Sequence, residues 1–203
     1  SNWSTTWSFT TGTAPTAPSL SAPSSGAQNA ALAPDFSWTT SIGTQPITYT
    51  VEVDIENTFA EPKVISVGSI YDTTFNPGAV LSQNTLYYWR VMATNLIGTS
   101  SWSSTYSFTT GTMPSVPALL LPLDLATDIS VPAALEWNAS TGSPSITYTV
   151  QVDDDSLFDS PEYNQGFIST TDFSVSSLDA AGTYYWRVKA KNDIGESSWA
   201  VAR

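Results

Sequence analysis

The sequence predicts an all-β protein built as tandem seven-stranded sandwiches, on three observations. First, the chain repeats itself: PITYTVEVD at 46–54 returns as SITYTVQVD at 145–153, and LYYWRVMATNLIGTSSW at 86–102 returns as TYYWRVKAKNDIGESSW at 183–199. Second, apolar residues alternate with polar ones, and no stretch carries the i, i+3, i+4, i+7 spacing of an amphipathic helix. Third, Pro, Gly, Ser and Asn clusters punctuate the alternating runs at the spacing of short strands.

The repeat offset is 99 residues from Trp38 to Trp137 and from Phe59 to Phe158, and falls to 97 from Trp89 to Trp186. A third copy is fragmentary: NWSTTWSFTTGT at 2–13 matches SWSSTYSFTTGT at 101–112. Residues 1–12 are therefore read as the last strand of a preceding repeat, 13–111 as a complete repeat, and 112–203 as a second repeat lacking most of its last strand. In the complete repeat, strands are expected near 19–22, 34–41, 47–56, 63–70, 73–77, 86–95 and 103–110. Residues 48–55 turn Tyr49, Val51, Val53 and Ile55 to one face and Thr48, Thr50, Glu52 and Asp54 to the other. Residues 87–93 turn Tyr87, Trp89, Val91 and Ala93 inward, with Tyr88, Arg90 and Met92 outward. The proline-bearing segments TTGTAPTAPSL (10–20) and TTGTMPSVPAL (109–119) read as short, stiff joints.

The block LYYWRVMATNLIGTSSWS, with Trp38 upstream and SFTT closing the unit, resembles a bacterial fibronectin type III repeat, an immunoglobulin-like sandwich. That resemblance implies that Trp38 and Trp137 pack between the sheets, and that Tyr87 and Tyr184 form tyrosine corners whose hydroxyls meet backbone groups. It also implies a secreted or surface-bound tandem array.

Eighteen acidic residues against six basic ones give a net charge of −12, which argues against nucleic acid as a partner. No apolar run is long enough for insertion as a membrane-spanning helix. Histidine and cysteine are absent, which removes the commonest general base, the thiolate nucleophile, disulfides and Cys/His metal sites. No glycine-rich phosphate loop and no Gly-x-Ser-x-Gly elbow occurs, so no catalytic residue and no cofactor is expected. Trp38, Trp89, Trp137, Trp186, Tyr49, Tyr148, Phe108 and Phe9 have the inward phase of core residues. Tyr88, Tyr185, Trp102 and Trp199 have outward or edge phase and are expected to stack with Arg90 and Arg187, with a sugar platform as the competing use. Glu52, Asp54 and Glu56 read as a solvated acidic face, and so does the run Asp153-Asp154-Asp155. Asp153 and Asp155 are the calcium candidates, but the run lacks the oxygen and the glycine that an EF-type loop requires, so no metal is assigned.

These features predict a non-enzymatic structural repeat of a bacterial surface fibre, stalk or adhesin, located outside the cell or on its surface. The alternative is a carbohydrate-binding or spacer module of a secreted polysaccharide-degrading enzyme. Its partners are expected to be neighbouring repeats or copies of itself in a filament, or surface glycans. A seventh strand at the front and an open sandwich at the back fit a window on a longer array. They also fit head-to-tail strand complementation, with Trp7 and Phe9 as the donated rings.

Overall fold

The structure, a computed structural model, describes residues 3–78 and 80–203, and these residues form strands, turns and extended segments with no helix. The chain divides into two compact units, Ser1–Thr110 and Gly111–Arg203.

The first unit holds eight strands: β1 (Leu20–Ala22), β2 (Ala27–Ala30), β3 (Phe36–Trp38), β4 (Thr48–Asp54), β5 (Ile65–Ile70), β6 (Thr74–Phe75), β7 (Leu86–Thr94) and β8 (Tyr106–Thr110). They form two sheets in the orders β1-β3-β6 and β2-β8-β7-β4-β5. Every pairing is antiparallel except β2 with β8, which is parallel. Strand β2 was not expected. Its sequence, AQNA between a Ser-Ser-Gly turn and a Pro-bounded segment, has no apolar alternation, and only the free edge of β8 makes it a strand.

The second unit holds β9 (Leu119–Leu121), β10 (Ala133–Trp137), β11 (Thr147–Asp153), β12 (Tyr163–Ile168), β13 (Asp172–Val175), β14 (Tyr185–Asn192) and β15 (Gly195–Glu196). Their sheets run β13-β10-β9 and β12-β11-β14-β15. Beyond β15, residues 197–203 continue beside β14. Ser197 N donates to Ala190 O, Ala200 N to Val188 O, and Trp186 and Arg203 exchange two backbone hydrogen bonds.

Large rings fill the space between the sheets. In the first unit Phe36 on β3 meets Trp89 at 5.0 Å and Phe108 at 5.9 Å between ring centroids, and Trp38 lies 5.5 Å from Tyr49. These offset and edge-on contacts suit the ring quadrupoles and each adds about 0.5–1.5 kcal/mol beyond area burial. The second unit repeats the motif, with Trp137 5.4 Å from Tyr148 and Val150, Val175 and Val188 fully enclosed. Tyr87 Oη accepts a hydrogen bond from Ser82 N at 3.1 Å, and Tyr184 Oη accepts one from Asp179 N at 2.9 Å. Each ring therefore stays in apolar surroundings while its hydroxyl is satisfied five residues upstream.

The TTGT and Asn-x-Ile-Gly motifs explain one another. Asn95 Nδ2 donates to Thr13 O at 2.8 Å, and Asn192 Nδ2 to Thr112 O at 2.8 Å. A Cβ on Gly12 would lie 2.7 Å from Ile97 Cδ1, and one on Gly111 2.4 Å from Ile194 Cδ1, so with glycine at these positions the isoleucines pack directly on the backbone, and a larger residue would push them aside. The motif thus opens the unit that follows it, which is why the division falls at Thr110/Gly111 rather than one residue later.

Three expectations fail. Ile55 has the inward phase, but β4 stops at Asp54 and Ile55 is 54% exposed. Residues 3–12 form no strand, and Phe9, expected in a core, is 91% exposed because no ladder partner lies beside it in this chain. Residues 1 and 2 of that fragment lie outside the described residues.

Phe36→Ala is expected to lower the stability of the first unit by about 3–5 kcal/mol, the usual cost of deleting a buried ring. Calorimetry should show one transition moved and the second unit's unchanged. A loss under about 1 kcal/mol would show that this ring does not organise the core.

Candidate functional site

The outward face of each larger sheet carries the polar chemistry. In the first unit, the cross-strand pair Glu52 and Arg90 joins β4 to β7. Arg90 Nη2 lies 2.7 Å and Nε 2.9 Å from Glu52 Oε2, and Lys63 Nζ is 3.4 Å from Oε1. The Arg90 guanidinium is sandwiched between the rings of Phe59 at 4.0 Å and Trp102 at 4.2 Å. Two aromatic faces cover an ion pair in which two guanidinium nitrogens reach one carboxylate oxygen, and Glu52 is buried. Asp54 is buried too, so of the solvated acidic face expected here only Glu56 is exposed. Trp102 stacks as the phase predicted. Its partner across the guanidinium is Phe59, not Tyr88, because Phe59 adopts a left-handed backbone (φ 55°) that folds its ring over the strand.

The second unit rebuilds the clamp without the acid. Arg187 lies between Phe158 at 4.0 Å and Trp199 at 4.6 Å, and its Nε donates to Gln151 Oε1 at 2.8 Å. Phe158 shares the left-handed backbone (φ 58°), and Tyr185, like Tyr88, takes no part in the stack.

Beside this clamp the second unit opens a cleft of about 230 Å³. Its floor is Thr147, Thr149 and Gln151 of β11, and its walls are Asn164 and Phe167 of β12 with Lys189, Lys191, Glu196 and Trp199. The register of β11 with β12 shifts between Tyr148 and Val150, and the bulge residue Phe167 (φ 59°) stands 89% exposed. The first unit has the same bulge with Ser69 (φ 60°), and has Met92, Thr94 and Thr99 where the second has Lys189, Lys191 and Glu196. The ring and three charged groups are therefore particular to the second unit. Glu196 Oε2 is 2.5 Å from Lys189 Nζ and its Oε1 is 2.9 Å from Lys191 Nζ. Hydrogen bonds from Lys189 and then Lys191 hold its carboxyl down at about 2.

The calcium candidates are redrawn. Asp153, Asp154 and Glu162 bring carboxylate oxygens within 4.8 Å of one another, whereas Asp155 lies outside the group and turns its Oδ1 to Leu157 N at 3.1 Å. Glu162 escaped the sequence reading because it lies seven residues beyond the acidic run, across a loop.

Trp38, Trp89, Trp137, Trp186 and Tyr87 are buried in the cores, and Tyr184 is half-buried. Trp7 and Phe9 stand 90% and 91% exposed.

Residues 25–114, under half of the chain, match the family profile described as the Rha78A-like, N-terminal immunoglobulin domain. No curated protein matches the chain in sequence. Among solved structures the chain is similar to the chicken CNTN1 FN1-FN3 domains, with 16% identity over 93% of this chain and 67% of that one, at a TM-score of 0.46. The fold is an all-β sandwich of the immunoglobulin and fibronectin type III kind, whose members generally serve as structural or binding modules.

Because the folded-state pKa of Glu196 is depressed, its contribution to stability is present above about 4.5 and is lost as pH falls toward about 2. An NMR titration should place its midpoint near 2 and move it up toward 4.5 in Lys189→Met. An unchanged midpoint in the variant would remove Lys189 as the cause.

Proposed function

We propose that this chain is a non-enzymatic structural segment of an extracellular bacterial surface fibre, stalk or adhesin, made of serially joined sandwiches. The observation that carries this reading is the motif linking strand end to unit start. Thr110 closes β8 and the next residue, Gly111, is already seated under Ile194 of the following unit. Each unit closes its own aromatic core, so units of this kind can be added in series. The cores support the same reading, since the large rings are spent on packing rather than on lining an enclosed cavity.

The exposed front segment extends the proposal to assembly. Residues 3–12 repeat the wording of β8 and its flanks, yet Trp7 and Phe9 are bare where their counterparts Tyr106 and Phe108 pack into the first unit's core. A strand of this sequence completes a sandwich elsewhere, in a neighbouring repeat or a neighbouring copy. Burying two such rings is worth about 7–12 kcal/mol before entropy costs. Light scattering after size exclusion tests the self-assembling form. The 203-residue chain should grow in mass with concentration while residues 13–203 stay at one chain mass; two monomers would end the assembly reading.

A second reading, glycan binding, is favoured by the cleft over β11, β12 and β14. The exposed Phe167 ring offers a stacking platform. Thr147, Thr149 and Asn164 have no side-chain hydrogen bonds among the described residues and are open to hydroxyl groups. Lys189 and Lys191 favour sugars carrying a carboxylate or sulfate. Affinity-gel electrophoresis with acidic polysaccharides should show retardation lost in Phe167→Ala. Equal migration with and without polysaccharide would sink this reading.

A further inference from the structure

We propose that the second unit binds one calcium ion at the end of the β11–β12 hairpin, held by Asp153, Asp154 and Glu162. Asp153 is the last residue of β11 and is 1% exposed. Its Oδ1 accepts a hydrogen bond from Asp155 N at 3.1 Å, but its Oδ2 is buried with no partner among the described residues. A buried, half-satisfied carboxylate is costly unless a cation compensates it. Two further carboxylates, both exposed, lie beside this residue, and one oxygen from each of the three is within 4.8 Å of the others. Oxygens on opposite sides of a calcium ion, at about 2.4 Å each, are about 4.8 Å apart, so a mutual spacing within that limit is compatible with all three carboxylates binding one ion.

Among the described residues the second unit offers this cluster no cationic side chain of its own. The second unit has four cationic side chains. Arg187 is fixed to Gln151, Lys189 and Lys191 to Glu196, and Arg203 donates to Leu120 O. The first unit solves the same corner differently. There Asp54 ends β4 as Asp153 ends β11, but Ile55 follows it where Asp154 follows Asp153. Between the loop proline and the first residue of the next strand, the first unit carries Lys63-Val64 and the second the single Glu162. Lys63 pairs with Glu52 and Glu61 and thereby ties the loop to the sheet. That tie runs to Glu52, whose counterpart is Gln151; the second unit has neither the ammonium nor that acid and has gained two carboxylates beside Asp153, so an external divalent cation would tie its loop to the sheet through Asp153 instead. Glu162 Oε2 already accepts a hydrogen bond from Asp154 N at 3.2 Å, so the two exposed ligands arrive together. Calcium is assigned over magnesium because an irregular all-oxygen set, completed by backbone carbonyls and water, suits its flexible coordination.

Titration calorimetry on the EDTA-treated 203-residue chain tests this with CaCl2 and, separately, MgCl2. One calcium is expected per chain, with Kd in the range of about 10⁻⁴–10⁻³ M typical of extracellular modules, at least tenfold tighter than magnesium. Glu162→Gln and Asp154→Asn, both at exposed positions, should each weaken binding about tenfold while circular dichroism stays unchanged. Glu162→Lys should abolish binding and raise the calcium-free melting temperature of the second unit by supplying the missing cation. Absence of heat and of any melting shift at about 10 mM calcium would overturn the proposal. Equal responses to magnesium, or binding unaffected in Glu162→Gln, would overturn it too.

Discussion

The gap between two packed sheets, about 10 Å, governs this protein. Thin sheets of short strands bury little surface each, and a unit of about 100 residues without disulfides must fill that gap densely to be stable. Here the filling is aromatic. Phe36 on one sheet reaches Trp89 and Phe108 on the other, and Trp38 and Trp137 each lean on a tyrosine. Two other features hold those rings in place: valines of β4 and β11 pack between them, and tyrosine hydroxyls are tied to backbone amides.

With the inside so constrained, the two units diverge on the outside. The guanidinium sandwich is kept in both, with a phenylalanine in left-handed backbone on one side and a tryptophan on the other. Around it, the first unit is closed by internal charge pairing through Glu52 and Lys63, whereas the second gathers three of the chain's six cations on one face and three clustered carboxylates at one corner. The lysines of the second unit are paired with Glu196, whereas its three clustered carboxylates have no cationic side chain against them among the described residues. The framework has been preserved and the surface put to use.

Much of this was legible in the residues. Alternation placed Tyr49, Val51 and Val53 inside together with Tyr87, Trp89, Val91 and Ala93, because a strand with one buried face must alternate. The internal repeat supplied the unit size and the equivalence of Trp38 with Trp137. Phase misled where a charged side chain was covered from above. Glu52 and Asp54 point outward and are nevertheless buried; Arg90 and Lys63 pair with Glu52, and Phe59 and Trp102 cover the guanidinium. Phase also misassigned Phe9, because an inward position has meaning only when a second sheet is present to bury it.

What the sequence determined by itself is therefore the all-strand architecture, the repeat, the core rings and the absence of histidine and cysteine chemistry. Those follow from periodicity and inventory, which are local properties. The tertiary structure alone decided that AQNA is a strand, that Phe59 rather than Tyr88 stacks on Arg90, and that Glu162 joins Asp153 and Asp154 across a loop. Each of those depends on which backbone lies beside which. Contacts of that kind are set by packing between elements remote in the chain, and no local pattern of residues encodes them.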